Sequence, residues 1–250
     1  MKRIILITAA VIMALILSAC SREGFKESLE RGKENNGASS SEQQTEPELS
    51  DEDFIFILDS DEYEEDKCLY YYALPKADSH AAENAANMIS EELEQLIKSL
   101  AAQVADGREY QNISIYDAIT QNNGKIFSVM YEIEMTLNDE TEEKYEVGLV
   151  FDPTTGERIE LDELKDSSTF VTLILDEQLS KIPGKKEDVK AKKRDYLREQ
   201  GDEKLEKRLE AVESIEELLD ASYYVDGDEL VAVFAADQEI GGVIEVSVAM

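Results

Sequence analysis

Positive charge is what this chain has least of. Its 25 lysines and arginines stand against 57 acids, for a formal net charge of -32. Such a surface repels phosphate backbones and anionic headgroups, so no nucleic-acid partner is expected. Cysteine is also scarce: Cys20 and Cys68 are the only two, too few for a cysteine-held metal cluster. There is no tryptophan, and His80 is the only histidine. No serine or cysteine nucleophile motif surrounds His80, so an exposed histidine at a helix end is expected there. Long apolar runs are missing too. The longest, "IILITAAVIMALIL" at residues 4–17, falls short of the roughly 20 residues that a spanning helix needs. What remains is ample for folding: 42% hydrophobic residues beside 33% charged ones still permit a proper core.

The apolar run itself is informative. A basic start (Lys2, Arg3), a short apolar stretch and small residues at its end make the pattern of a secretory signal peptide. Leu17-Ser18-Ala19-Cys20 resembles the lipobox of bacterial lipoproteins. The resemblance implies cleavage before Cys20 and lipidation of that residue, with several acyl chains holding the protein to the membrane. The alternatives are a plain signal peptide, or an uncleaved helix with a coincidental cysteine. Loss of Lys2 and Arg3 with the leader takes the net charge from -32 to -34. Lipidated Cys20 leaves Cys68 alone, so no intramolecular disulfide is expected and Cys68 reads as a buried thiol. Residues 20–50 comprise that cysteine and a polar, apolar-poor segment that reads as a flexible tether.

The folded part begins near residue 51. Phe54–Leu58 and Leu69–Leu74 suit short strands, and the acids between them (Asp59, Asp61, Glu62, Glu64, Glu65, Asp66) read as a solvated loop. A calcium loop of the EF-hand kind needs a turn glycine and a closing glutamate at fixed offset, and neither is present. Residues 79–106 read as one helix, with Ile89, Leu93, Leu96, Leu100 and Val104 on one stripe, Ser79 as cap and Gly107 as stop. Three strands follow in "NISIYDAI", "IFSVMYEIEMTL" and "YEVGLVF". In the second, Phe127, Val129, Tyr131, Ile133, Met135 and Leu137 alternate with polar residues, which predicts one wet face. Short connections predict an antiparallel meander covered by the helix. Gly156 marks a tight turn before a short strand and a helix start. "STFVTLILDEQLSKI" reads as a buried helix ended by Pro183-Gly184, and a charged helical stretch with a break at Gly201 follows. A hairpin turning at Asp226-Gly227 and a last strand close the chain. The expected class is α+β, with antiparallel sheets, a long helix in the N-terminal part, and a helical insert before a C-terminal hairpin and strand.

The order of these motifs resembles a bacterial extracytoplasmic family, the C-terminal domain of RsiV-type anti-sigma factors, which also accompanies some peptidoglycan deacetylases. The carrying residues are Asp152, Gly156 and Leu161-Asp162-Glu163-Leu164, then Tyr223-Tyr224, Gly227-Asp228, Leu230–Ala235 and Gly241-Gly242. To the leader at 1–19 and the lipidated cysteine and tether at 20–50, the resemblance adds a companion α+β region at 51–144 and the RsiV-type domain at 145–250. Departures are informative. Family members commonly carry a Gly-Ala-His-Gly-like turn where this chain has "LNDETEEKYE", and the segment after the penultimate strand is reduced to "AADQEIGG". No segment precedes the leader, which argues against the anti-sigma design. Deacetylation needs an aspartate and two histidines around a metal, which His80 alone does not supply.

Three functions are weighed. The first is a membrane-anchored, non-enzymatic binding or sensing module at the cell envelope. Lysozyme sensing in the resembled family and the acidic surface imply a cationic protein or a cell-wall component as partner. The second is an enzyme acting on wall polymer through paired carboxylates such as Glu132 and Glu134. The third is an envelope-assembly factor that docks through the basic cluster Lys185, Lys186, Lys190, Lys192, Lys193, Arg194 and Arg198, against the plainer reading that those cations pair within the chain. No catalytic residue, cofactor or metal site is expected, and Cys20 is the one assigned functional residue.

Overall fold

A computed structural model describes residues 49–179, 182, 187–212 and 214–250. The leader, Cys20, nearly all of the tether, and Pro183-Gly184 lie outside the described residues. Among the described residues no helix is long and apolar enough to cross a membrane.

The architecture is α+β, in stacked layers. β1 (Phe56–Glu65) and β2 (Cys68–Ala77) form a hairpin, and α1 (Glu83–Ala105) follows. Then come β3 (Tyr110–Asn122), β4 (Phe127–Leu137) and β5 (Glu142–Phe151). The five strands form one sheet in sequence order. It is mixed rather than antiparallel throughout, because β2 pairs parallel with β3 from Cys68↔Ile113 to Tyr71↔Tyr116. Parallel neighbours need a crossover, and α1 provides it. A boundary between residues 144 and 145 would pass through β5, and Glu48–Met250 forms one compact unit.

The stripe on α1 is buried along its length, at Ile89, Leu93, Leu96, Leu100 and Val104, and Ala85, Ala86, Ile97 and Ala101 widen it. It packs on the sheet face that carries Ile113, Ile115, Phe127, Val129, Tyr131, Ile133, Val147 and Phe151. Each such buried aliphatic side chain contributes about 1.5–3 kcal/mol. Cys68 belongs to this core. His80 is nearly fully exposed in a 3-10 turn ahead of α1, with its Nδ1 2.8 Å from Glu83 Oε2.

Beyond β5, Gly156 makes the turn, but the short strand expected after it is a single bridge between Phe151 and Arg158. The helical insert comprises α2 (Leu161–Leu164), α3 (Ser167–Leu173, continued by a π-turn over Ile174–Gln178), α4 (Glu187–Gln200), α5 (Asp202–Glu210) and α6 (Ile215–Asp220). Gly201, at φ 74, breaks α4 from α5. β6 (Ala221–Asp226), β7 (Glu229–Ala235) and β8 (Val243–Ala249) form an antiparallel three-stranded sheet. The β6–β7 turn is Gly227-Asp228, one residue later than the sequence pattern indicated, since Asp226 pairs with Glu229.

One face of the second sheet, with Val225, Leu230, Ala232, Phe234, Ile244 and Val246, packs against insert residues including Phe170, Val171, Ile174, Leu197, Leu205 and Leu209. The other face carries Tyr224, Val231, Val233 and Val243 and meets Met130 of β4. Serines stitch the sheets together. Ser222 Oγ accepts from Gly148 N at 2.9 Å. Ser128 Oγ accepts from Val225 N at 2.9 Å and donates to Leu149 O at 3.3 Å. These bonds satisfy polar groups that the sheet–sheet contact removes from water.

Candidate functional site

β1 corrects the expected acidic loop. The acids from Asp59 to Glu65 lie on a ten-residue edge strand, and only Asp66 and Lys67 form the turn, both at positive φ (47° and 69°). Two left-handed residues make the tight turn that suits a hairpin's twist. Apart from Phe56 and Tyr63, which pack on the core, β1 is exposed on both faces, so it lacks the apolar alternation that marks a strand.

The registers then place one residue from each strand in a lateral row on the sheet face opposite α1. Glu62 lies beside Tyr71, Tyr71 beside Tyr116, Tyr116 beside Glu132, and Glu132 beside Glu146. With neighbouring strands about 4.8 Å apart, the row spans about 19 Å. The adjacent row reads Glu64, Leu69, Ser114, Glu134 and Lys144. Tyr71 and Tyr116 stack in parallel, with centroids 5.1 Å apart and planes 7° apart. Tyr116 is 37% exposed and Leu58, on the same face, 40%. Partial desolvation and the Glu62 carboxylate push the Tyr71 phenol up. The surface is thus a tyrosine pair bracketed by carboxylates. Among the described residues Glu62 and Glu64 enter no ion pair. Aromatic faces and carboxylates together suit an ammonium or guanidinium group.

The far end of the row runs under the second sheet. Lys144 Nζ lies 2.7 Å from Glu132 Oε1 and 2.5 Å from Glu134 Oε1, and the two carboxylates push its ammonium up. The Gln238 carboxamide bonds both Lys144 N and Lys144 O at 3.2 Å, capping the free edge of β5 as a partner strand would. Tyr224 Oη donates to Glu245 Oε1 at 2.6 Å. Lys193 Nζ donates to Val243 O at 2.7 Å, and burial pushes that ammonium down against the pull of Glu146 and Glu245. Glu146 is pushed up to about 7, first by burial and then by Glu245 and Glu132. A raised carboxyl beside a second carboxylate is what a glycosidase acid requires. Glu146 is half-buried, and its Oε2 atom is buried without a hydrogen-bond partner.

The structure separates the other residues singled out by sequence. Glu132 and Glu134 sit on the wet face as expected, but both bind Lys144. Of the basic cluster, Lys193 is turned inward and Arg194 pairs with Glu187 at 2.9 Å. Lys185 and Lys186, like Cys20, lie outside the described residues. Sequence reasoning missed the Tyr71–Tyr116 stack and Glu146. The signal for the stack was the register, which requires knowing that β2 and β3 are neighbours, whereas the burial of Glu146 depends on the second sheet attaching to β5 on either side of it. Among the described residues no group of three or more His, Cys, Asp or Glu side chains is placed to hold a metal ion.

No family model matches the chain, and no curated protein matches it. Solved structures do. The chain is structurally similar to DUF3298 family proteins. One, from Pseudomonas aeruginosa PAO1, is 7% identical with a TM-score of 0.41, covering 78% of this chain and 92% of that one. Another, from Bacteroides fragilis NCTC 9343, is 12% identical with a TM-score of 0.43, covering 78% of this chain and 90% of that one. DUF3298 is the RsiV-like domain family. The likeness concerns the fold alone, and no residue's role is taken from it.

Proposed function

We propose that this chain is an extracytoplasmic lipoprotein, anchored through Cys20, that serves as a binding or sensing module without catalysis of its own. Its ligand is a cationic protein of the envelope, lysozyme being the kind that the family resemblance suggests. The observation that carries this reading is the open part of the row, Glu62, Tyr71 and Tyr116, leading to Glu132. It offers stacked aromatic faces between carboxylates, on the accessible side of a sheet, in a chain of net charge -32. Long-range attraction would speed encounter with a cation-rich partner, and the tyrosines would supply the desolvated anchor.

Titration of the full chain in nanodiscs with lysozyme tests the docking face. Tyr71→Ala and Tyr116→Ala should each weaken binding about tenfold, the equivalent of about 1.4 kcal/mol. Glu62→Gln should mainly slow association and flatten the dependence on salt. Unchanged affinity in both tyrosine variants would remove this face from the proposal.

The anchor has its own test. Cys20→Ala should abolish metabolic acyl labelling and release the protein from the membrane fraction. A Cys20→Ala protein that remains membrane-bound without acyl label would mean that the apolar leader is itself the anchor.

A further inference from the structure

The buried end of the row presents a separate problem in charge. Glu146 of β5 lies beside Glu132 of β4 in the register, and the charges of Glu132 and of Glu245 on β8 both act on it. Lys144 of β5 is engaged by Glu132 and Glu134, and Lys193 of α4 is bonded to Val243 O. The Tyr224 hydroxyl of β6 donates its hydrogen bond to Glu245, and the Gln238 carboxamide, in the turn before β8, is engaged by the Lys144 backbone. Glu146 Oε2 is left buried without a hydrogen-bond partner, one of two such side-chain atoms among the described residues. A desolvated carboxyl oxygen facing two other carboxylates favours a shared proton over three full charges.

This cluster lies on the contact between the sheets. Two residues along β5, Gly148 N is bonded to Ser222 of β6. Two residues the other way, the backbone of Lys144 is held by the turn before β8. Glu146 therefore sits between the two attachments of the second sheet to β5.

We propose that Glu146 is a proton-operated latch on this seam. With the proton on, the second sheet lies closed over β5; with the proton off, repulsion from Glu245 and Glu132 loosens the contact. The direction follows from linkage. Glu146 titrates near 7 in the fold against an ordinary 4.5. Between those values the folded form holds the extra proton, so its stabilisation is complete below about 4.5 and is lost as pH rises through about 7. From pH 6 to pH 8 the protonated fraction falls from about nine-tenths to about one-tenth. The latch is independent of the partner proposed above, since it operates in the unliganded chain.

Amide hydrogen exchange on the full chain in nanodiscs, without partner, tests it at pH 6 and pH 8 after correction for intrinsic base catalysis. Protection at Gly148 and across Val243–Val246 should fall about tenfold at pH 8, while α1 amides at Leu93–Leu100 should hold theirs. That contrast separates a local latch from general repulsion in an acidic chain. Glu146→Gln carries no charge at either pH and should keep the pH 6 protection throughout. Lys193→Met removes a cation that favours the ionised form, and should move the transition to higher pH. Carboxyl carbon NMR of the native chain reads the Glu146 titration directly, even where a variant fails to fold. A Glu146 midpoint below pH 5, equal seam protection at both pH values, or an unaltered pH response in Glu146→Gln would each overturn the latch.

Discussion

Gly148→Ala should lower the stability of the folded region by about 3 kcal/mol, at the upper end of what overpacking a tight contact costs. A Cβ on Gly148 would stand 2.6 Å from both the carbonyl carbon and oxygen of Tyr223, and 2.9 Å from Tyr224 Cβ. Two of those atoms are backbone, so no side-chain rotation relieves the clash. β6 must back away from β5, and the Gly148–Ser222 hydrogen bond and the buried Val225–Ser128 bond are strained together. For a folded unit of this size, a loss of that order lowers Tm by about 6–12 °C. Gly107→Ala is the useful comparison. Gly107 has φ 67 but open space around its Cβ direction, so its substitution tests backbone strain alone, about 1 kcal/mol. Calorimetry of both variants decides the matter. A Gly148→Ala shift no larger than that of Gly107→Ala would mean that the sheets do not approach this closely.

Arg208→Ala should be comparably damaging, at about 3 kcal/mol, for a different reason. The Arg208 side chain, only 9% exposed, reaches from α5 beneath the second sheet. Its Nε donates to Asp220 Oδ2 at 2.8 Å, and its Nη2 donates to Asp220 Oδ1 at 3.0 Å, Asp220 O at 2.8 Å and Ala235 O at 3.0 Å. The guanidinium also lies 5.4 Å from the Phe234 ring centroid. The Asp220 carboxylate is 52% exposed and rehydrates when the arginine is lost, so the ion pair itself accounts for little of the loss. Most of it comes from the packing against Phe234 and from stranding the Asp220 carbonyl. The Ala235 carbonyl keeps the Tyr196 hydroxyl at 3.1 Å. Lysine cannot reproduce the fork, so Arg208→Lys should recover less than half of the stability. Urea unfolding of both variants measures this, and full recovery by lysine would show that charge alone is what the site needs.

Much of the secondary structure was legible because it rests on local periodicity. The α1 stripe, the alternation of β4, the break at Gly201 and the exposure of His80 each follow from residues within a turn or two of one another. The acidic part of β1, Asp59–Glu65, was hidden because it carries acids on both faces and so lacks alternation. The parallel β2–β3 pairing was hidden because a helix of 23 residues separates its members. The candidate site inherits that difficulty. Glu62, Tyr71, Tyr116, Glu132 and Glu146 are 84 positions apart from first to last, and only the sheet order brings them into line.

By itself, then, the sequence determined the class of fold, the long helix and its buried face, the excess of acid, and the lipobox-like stretch ending at Cys20. These follow from composition and short-range spacing. The tertiary structure alone decided which acids are neighbours. It put Glu132 and Glu134 against Lys144, left Glu62 and Glu64 outside any ion pair among the described residues, and set Glu146 on the seam between two sheets. The physical reason is that a carboxylate's behaviour depends on the water and charges within a few ångströms of it, and in a sheet those neighbours come from distant parts of the chain.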